Sequence, residues 1–131
     1  MKIYVAASFE KKKEVLEIYQ RLKQLGHKIS GDWTAHKFIR PYKENQELAK
    51  QYSIEDINGI KNCDIFILIP DEISSRGKYI EFGAAVLSNI KSSKPIIYVV
   101  GKFNSDSIFY FHPQVKRVDS IDEVLKEIDK I

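Results

Sequence analysis

Short apolar runs and longer amphipathic stretches alternate along the chain. "KIYVAAS" (residues 2–8) is a short run of β-formers, followed by a stretch in which Val15, Tyr19, Leu22 and Leu25 recur at three- and four-residue spacing, the period of a helix with one buried face. Gly26 closes that helix, and "HKIS" (27–30) reads as a second short strand. "GDWTAHKFIRPY" (31–42) follows as a loop, with Pro41 biasing Arg40 away from helix; a dozen loop residues invite a functional explanation. Residues 43–62 read as one long helix with Leu48, Ile54, Ile57 and Ile60 available for burial, although Ser53, three residues before Asp56, is placed to cap a shorter one.

"CDIFILIP" (63–70) is nearly continuous apolar β-former, the pattern of a central parallel strand covered on both faces. The loop "DEISSR" (71–76) leads into a helix from Gly77 to about Ile90, and "PIIYVVG" (95–101) is another apolar strand. "QVKRVDS" (114–120) is a weaker last strand. Ser120 with Glu123 three residues on makes a capping-box signature for a final helix whose face is Ile121, Val124, Leu125 and Ile128. Strands alternating with helices at this spacing predict right-handed βαβ units and a parallel sheet of about five strands between helical layers. Such sheets bind ligands beyond the carboxyl ends of their strands, at the topological switch point. That rule selects Ala7–Glu10, "GDWT", "DEISSRG" and "GKFNSDS" as the functional loops.

The 131 residues suit one domain, 1–131, and 44% hydrophobic with 30% charged residues suit a folded, soluble chain with a real core. A net charge of +3, with lysine and glutamate interleaved, argues against a nucleic-acid surface. One cysteine, Cys63, excludes an internal disulfide and a multi-cysteine zinc site, and His27, His36 and His112 lack metal-ligand spacing, so neither metal nor cofactor is expected. A reducing cytoplasm fits. "MKIYVAASF" is too short an apolar stretch for a signal peptide, and no segment approaches membrane-spanning length.

Glu81 is the residue out of place. It sits among Tyr79, Ile80, Phe82, Gly83, Ala84 and Ala85, and an ionised carboxylate buried there unpaired costs several kcal/mol, so the fold must shield it, pair it or use it. An exposed position, or an acid favoured by the helix N-terminus, is the plainer alternative.

"KIYVAASF", "EDINGIKNCDIFILI" and "SRGKYIEFGAA" together resemble the nucleoside 2-deoxyribosyltransferase superfamily, which also contains N-glycosidases acting on nucleoside 5'-monophosphates. The likeness runs through most of the chain in order; its most specific part is Gly77, four residues before Glu81, with Gly83 and Ala84 close behind. It implies a flavodoxin-like, doubly wound three-layer α/β sandwich. It also implies that Glu81 is the nucleophile attacking the anomeric carbon, that Asp56 is the second acid serving the departing base, and that Tyr4 positions the carboxylate. Water would then give hydrolysis, and a second base would give transfer.

Six residues before the nucleophile, the deoxyribosyltransferases resembled here carry an aspartate for a free 5'-hydroxyl and the monophosphate hydrolases a serine for phosphate; this chain has Ser75. Ser75, the Gly77 amide and Ser8 would donate to that phosphate, with Arg76 and Lys78 adding positive charge. Against it, Glu10 stands where those hydrolases have an arginine, and Ala7 where they have a glycine. Trp33 is placed to stack on the base or to lid the core, with Asp32 or His36 at the base edge. Asn104 and Ser105 fall where members of the superfamily resembled here send a polar side chain into the neighbouring subunit's site, which implies a homodimer, with Phe109, Tyr110 and Phe111 either as its interface or as an aromatic cluster packed within the chain. Two other classes share such a fold: a non-catalytic nucleotide-binding or sensor module, and an NAD-cleaving domain like those of the Toll/interleukin-receptor class.

Overall fold

The computed structural model describes all residues, 1–131. Five strands, β1 (Lys2–Ala6), β2 (Lys28–Ile29), β3 (Ile65–Leu68), β4 (Ile96–Val100) and β5 (Val115–Val118), form one parallel sheet in the order β2-β1-β3-β4-β5. The helices between and after them are α1 (Lys12–Gln24), α2 (Gln46–Asn62), α3 (Gly77–Ser92) and α4 (Ile121–Ile128). The architecture is thus the three-layer flavodoxin-like sandwich expected. β1, β3 and β4 are buried almost throughout, as their continuous apolar runs require when helices cover both faces. The capping box of Ser120 and Glu123 opens α4.

On one face α2 and α3 pack against each other and over β1, β3 and β4. On the other, the guanidinium of Arg21 on α1 donates to Asp122 on α4, tying the two helices together. The chain leaves β1 toward β2 and returns past it to β3, so the switch point lies between β1 and β3, where Tyr4 pairs with Phe66 and Ala6 with Leu68.

Two helical faces differ from the pattern read in the sequence. Leu25 falls beyond the end of α1 and is half exposed, while Ile18 joins Val15, Tyr19 and Leu22 inside. In α2, Ile54 and Ile57 face solvent, Leu48 is left 36% exposed, and of the apolar set only Ile60 is buried. The reason is a glycine contact. Gly59 lies so close to Gly31 that a Cβ on Gly59 would come within 2.9 Å of the Gly31 Cα. Gly31 itself has φ +73° and leaves no room for a Cβ beside the ring of Tyr4. Ser30 Oγ donates to the Gly59 carbonyl at 2.6 Å and clamps the approach. α2 therefore meets β1 and the 30–34 segment through backbone, and its isoleucines are left outside. The helix begins at Gln46 because Tyr42–Glu44 forms a 3-10 turn, and Ser53 caps nothing, its hydroxyl donating back to Lys50 O.

Candidate active site

Tyr4 projects from β1, stacked on its register partner Phe66 with ring centroids 5.7 Å apart, and its hydroxyl donates to Glu81 Oε2 in α3. Asp56, on α2 one turn before the Gly59 contact that draws that helix inward, is close enough for its charge to act on Glu81. Burial pushes the Glu81 carboxyl up to about 8; the Tyr4 hydrogen bond opposes that rise and the charge of Asp56 adds to it. Asp56 is raised to about 6, again chiefly by burial, with His36 favouring its charged form and Glu55 disfavouring it. Tyr4 is driven well above the ordinary tyrosine range by burial and by Glu81 and Asp56, so it remains a hydrogen donor at any working pH.

His36 links this pair to the surface. Its Nε2 is 3.1 Å from Glu55 Oε2 and 3.9 Å from Asp56 Oδ1, and its ring stacks on Tyr52 at 3.8 Å. Asp56 Oδ1 is buried without a hydrogen-bond partner. A polar cavity of about 540 Å³ borders Asp32, His36 and Asp56. Asp32 is exposed and accepts from the backbone N–H of Thr34 at 3.0 Å and from its hydroxyl, capping the 3-10 turn Trp33–Ala35. Trp33 is buried rather than presented for stacking: 6% exposed, it donates through its indole N–H to Val5 O at 2.6 Å, with Phe9 tilted against it. The reading of Trp33 as a lid on the core describes its position.

Ser8, Ser75 and Gly77 lie at the carboxyl ends of β1 and β3, as the switch-point rule requires, but Ser8 is fully buried and occupied. Its hydroxyl donates to Asp71 Oδ1 at 3.1 Å and accepts from Lys78 Nζ at 2.8 Å. Lys78 is 1% exposed and also donates to the carbonyls of Ile73 and Ser75 at 3.1 and 3.2 Å. Gly77 is exposed at the start of α3, among the unpaired N–H groups of a helix end. Asn104 Nδ2 donates to Val118 O at 2.8 Å, holding its own loop, and Ser105 beside it is exposed.

Three side chains escaped the sequence reading as parts of this region. Asp71 was only a loop residue and Lys78 only a source of charge. Tyr19 read as core of α1, yet its hydroxyl is buried without a partner, and its ionisation is suppressed by burial together with Asp32, Glu81 and Asp56. A cavity of about 630 Å³ lies between α3 and residues 103–112; it is walled mainly by apolar side chains such as Phe82, Leu87, Phe103 and Phe109, and Asp71 is at its edge. Glu81 lines neither cavity.

The arrangement supplies two protonatable carboxyls of different affinity beside a tyrosine donor, which is the equipment of nucleophile and general acid. Among solved structures, a Clostridium botulinum CMP N-glycosidase, BcmB, superposes with a TM-score of 0.63 over 98% of this chain and 99% of that one, at 22% identity. The two chains share one fold. No protein-family model and no curated protein matches the sequence. No helix is long and apolar enough to cross a membrane.

Proposed function

We propose that this protein cleaves the N-glycosidic bond of a nucleoside or nucleoside 5'-monophosphate through Glu81. The observation that carries this reading is a carboxyl held in a buried place by a tyrosine hydroxyl, with a second acid beside it at the switch point. Ionised Glu81 attacks the anomeric carbon as the carbon–nitrogen bond breaks, the bonding pair leaves with the base, and Asp56 gives that base its proton. The resulting glycosyl ester is opened by water or by a second base, with Asp56 taking back a proton. Tyr4 fixes the carboxylate's orientation. Asp32 and His36, on the polar cavity, are assigned to the base edge. Trp33 serves as a wall of the site through its packing.

The same reading places the enzyme in the cytoplasm as a homodimer. The outer face of α3 and the 3-10 turn Ile108–Phe111 leave Ile80, Leu87, Ile90 and Phe109 more than half exposed around the apolar cavity, and a second copy would cover them, with Ser105 near the joint. The deciding experiment incubates the protein with nucleosides, their 5'-monophosphates and NAD, with and without a second free base. Base release that disappears in Glu81→Gln supports the reading, and exchange with the second base identifies transfer. Binding without turnover would make the protein a nucleotide-binding module, and nicotinamide release from NAD alone would make it an NAD-cleaving domain.

A further inference from the structure

The inward face of α2 carries a further conclusion, which rests on the glycosidase reading and concerns how its acid is supplied with protons. Tyr52, Glu55, Asp56 and Gly59 stand at i, i+3, i+4 and i+7, so one helical face holds all four, and the Gly59–Gly31 contact presses that face toward the segment that follows β2. His36, in that segment, meets it. Its ring lies flat on Tyr52, with centroids 3.8 Å apart and planes within 4° of parallel. The Lys37 N–H donates to the Tyr52 hydroxyl at 3.1 Å and the His36 N–H to Trp33 O at 3.0 Å, so ring and backbone are both held.

Fixed in this way, the ring presents one nitrogen to two carboxyls. Nε2 is 3.1 Å from Glu55 Oε2, while Glu55 Oε1 accepts from Gln51 at 2.9 Å. Gln51, and then His36, hold Glu55 below the usual carboxylate range, so Glu55 stays an acceptor and keeps a proton on Nε2. Asp56 Oδ1 is 3.9 Å from the same nitrogen and is buried with no hydrogen-bond partner. A shift of about 1 Å brings the two within charge-assisted hydrogen-bond distance. The other titratable groups that feel the Asp56 charge are Tyr4 on β1, Tyr19 on α1 and Glu81 on α3, while Asp32, Lys2 and Lys28 border the same polar cavity. Both tyrosines are driven well above their ordinary range, and Glu81 must lose its own proton before it can attack. Of the groups facing Asp56, His36 is the one able to exchange a proton both with it and with the cavity.

We propose that His36 is the proton relay of Asp56, with Tyr52 and Glu55 as the residues that position it. The imidazolium passes its Nε2 proton to Asp56 Oδ1: the N–H electron pair stays on Nε2, a lone pair of the oxygen takes the proton, and the ring is left neutral with its remaining proton on Nδ1. Solvent entering the polar cavity returns a proton to Nε2, and Asp56 is ready to protonate the departing base. An imidazole suits this step because such rings ordinarily change charge between about pH 5 and 8, the range in which Asp56 does so. Asp56 then need not draw its proton past a bound substrate.

The test follows proton exchange and turnover separately. Carboxyl-carbon NMR of the free protein reads the Asp56 titration, and base release is measured on a nucleoside with a poor leaving base. In His36→Ala the Asp56 titration should move upward from about 6, because the ring that favours its charged form is gone. kcat should fall about tenfold, with a smaller change in KM, and added imidazole should restore at least about a third of it, which a merely structural role would not allow. Tyr52→Leu, which frees the ring without removing it, should lower kcat about threefold, and imidazole should not help. An Asp56 titration that stays in place, or a fall in kcat that imidazole leaves untouched in His36→Ala, overturns the relay. A rise in KM with kcat unchanged overturns it too and leaves His36 to the base edge. If the wild type releases no base, the glycosidase reading fails and the titration alone decides: an upward shift in His36→Ala upholds the exchange between His36 and Asp56, and its absence refutes both.

Discussion

Around Glu81 two mostly buried carboxyls share their space with a tyrosine and have no lysine or arginine as partner. In the loop before the same helix, Asp71 is also buried, but it meets the ammonium of Lys78 at 3.3 Å. The two clusters stand at the same edge of the sheet and treat charge in opposite ways. The first keeps its protons to unusually high pH, Asp56 to about 6 and Glu81 to about 8, and is therefore poised to exchange them. The second is neutral as a whole, saturated in donors and fixed. A buried acid given a counter-ion is thus held charged and fixed, and one denied it keeps its proton.

The comparison breaks most visibly if that counter-ion is removed. Lys78→Met should cost about 3–5 kcal/mol of unfolding free energy, because it strands Asp71 as an unpaired buried charge. Adding Asp71→Asn should restore most of it. Urea denaturation at neutral pH measures both; a loss below about 1 kcal/mol for the single variant would mean that the pair does not hold this loop.

The opposite sign is expected at the other cluster. Glu81→Gln should lower glycosidic turnover by at least about a hundredfold while leaving the fold intact. It should also stabilise the protein. Glu81 binds its proton more tightly folded than unfolded, so its contribution to stability is full at pH below the ordinary glutamate value and is lost as pH rises toward about 8. Replacing it with a neutral amide should therefore change little at pH 5 and add on the order of 2 kcal/mol at pH 9. A destabilised variant at pH 9 would show that the charged carboxylate is well accommodated, and the contrast with Asp71 would disappear.

The parts of this design legible in the sequence are those written in side-chain periodicity. Continuous apolar runs disclosed β1, β3 and β4, and Ser120 with Glu123 disclosed the start of α4, because each depends on residues near one another in the chain. Glu81 stood out because a charge interrupts an apolar helix. The inward face of α2 was hidden because it is made by the absence of side chains, Gly59 against Gly31, so its isoleucines gave a misleading period. Lys78 was hidden for a related reason: a lysine in the first turn of a helix ordinarily faces water, and only Asp71 and the carbonyls of a distant loop turn it inward. Its spacing of three from Glu81, which sets both on one helical face, was the available signal. Trp33 looked like a binding residue because its loop is long, whereas the bond to Val5 O that buries it spans elements remote in sequence.

The smallest predicted effect sharpens the picture of the reactive cluster most. Because Asp56 ionises near 6 and its charge then helps Glu81 keep a proton to about 8, the prevailing form at neutral pH has the wrong acid protonated: Glu81 neutral and Asp56 charged. The reactive form is the reverse, and a gap of about two units makes it roughly one molecule in a hundred. kcat/KM should therefore follow a bell with limbs near 6 and 8 that belong to the pair. In Asp56→Asn the charge that helped hold the Glu81 proton is gone, so Glu81 should titrate below 8, and with no acid left to lose its proton the alkaline limb should vanish. For a substrate with a poor leaving base the lost proton donor should dominate, with a fall of about tenfold at pH 7. For one with a good leaving base, which needs little protonation, the larger fraction of ionised Glu81 should offset the loss and leave turnover nearly unchanged. An alkaline limb that persists in Asp56→Asn, or an equal fall for every base, would assign Asp56 to positioning and leave Glu81 as the cluster's one proton-exchanging acid.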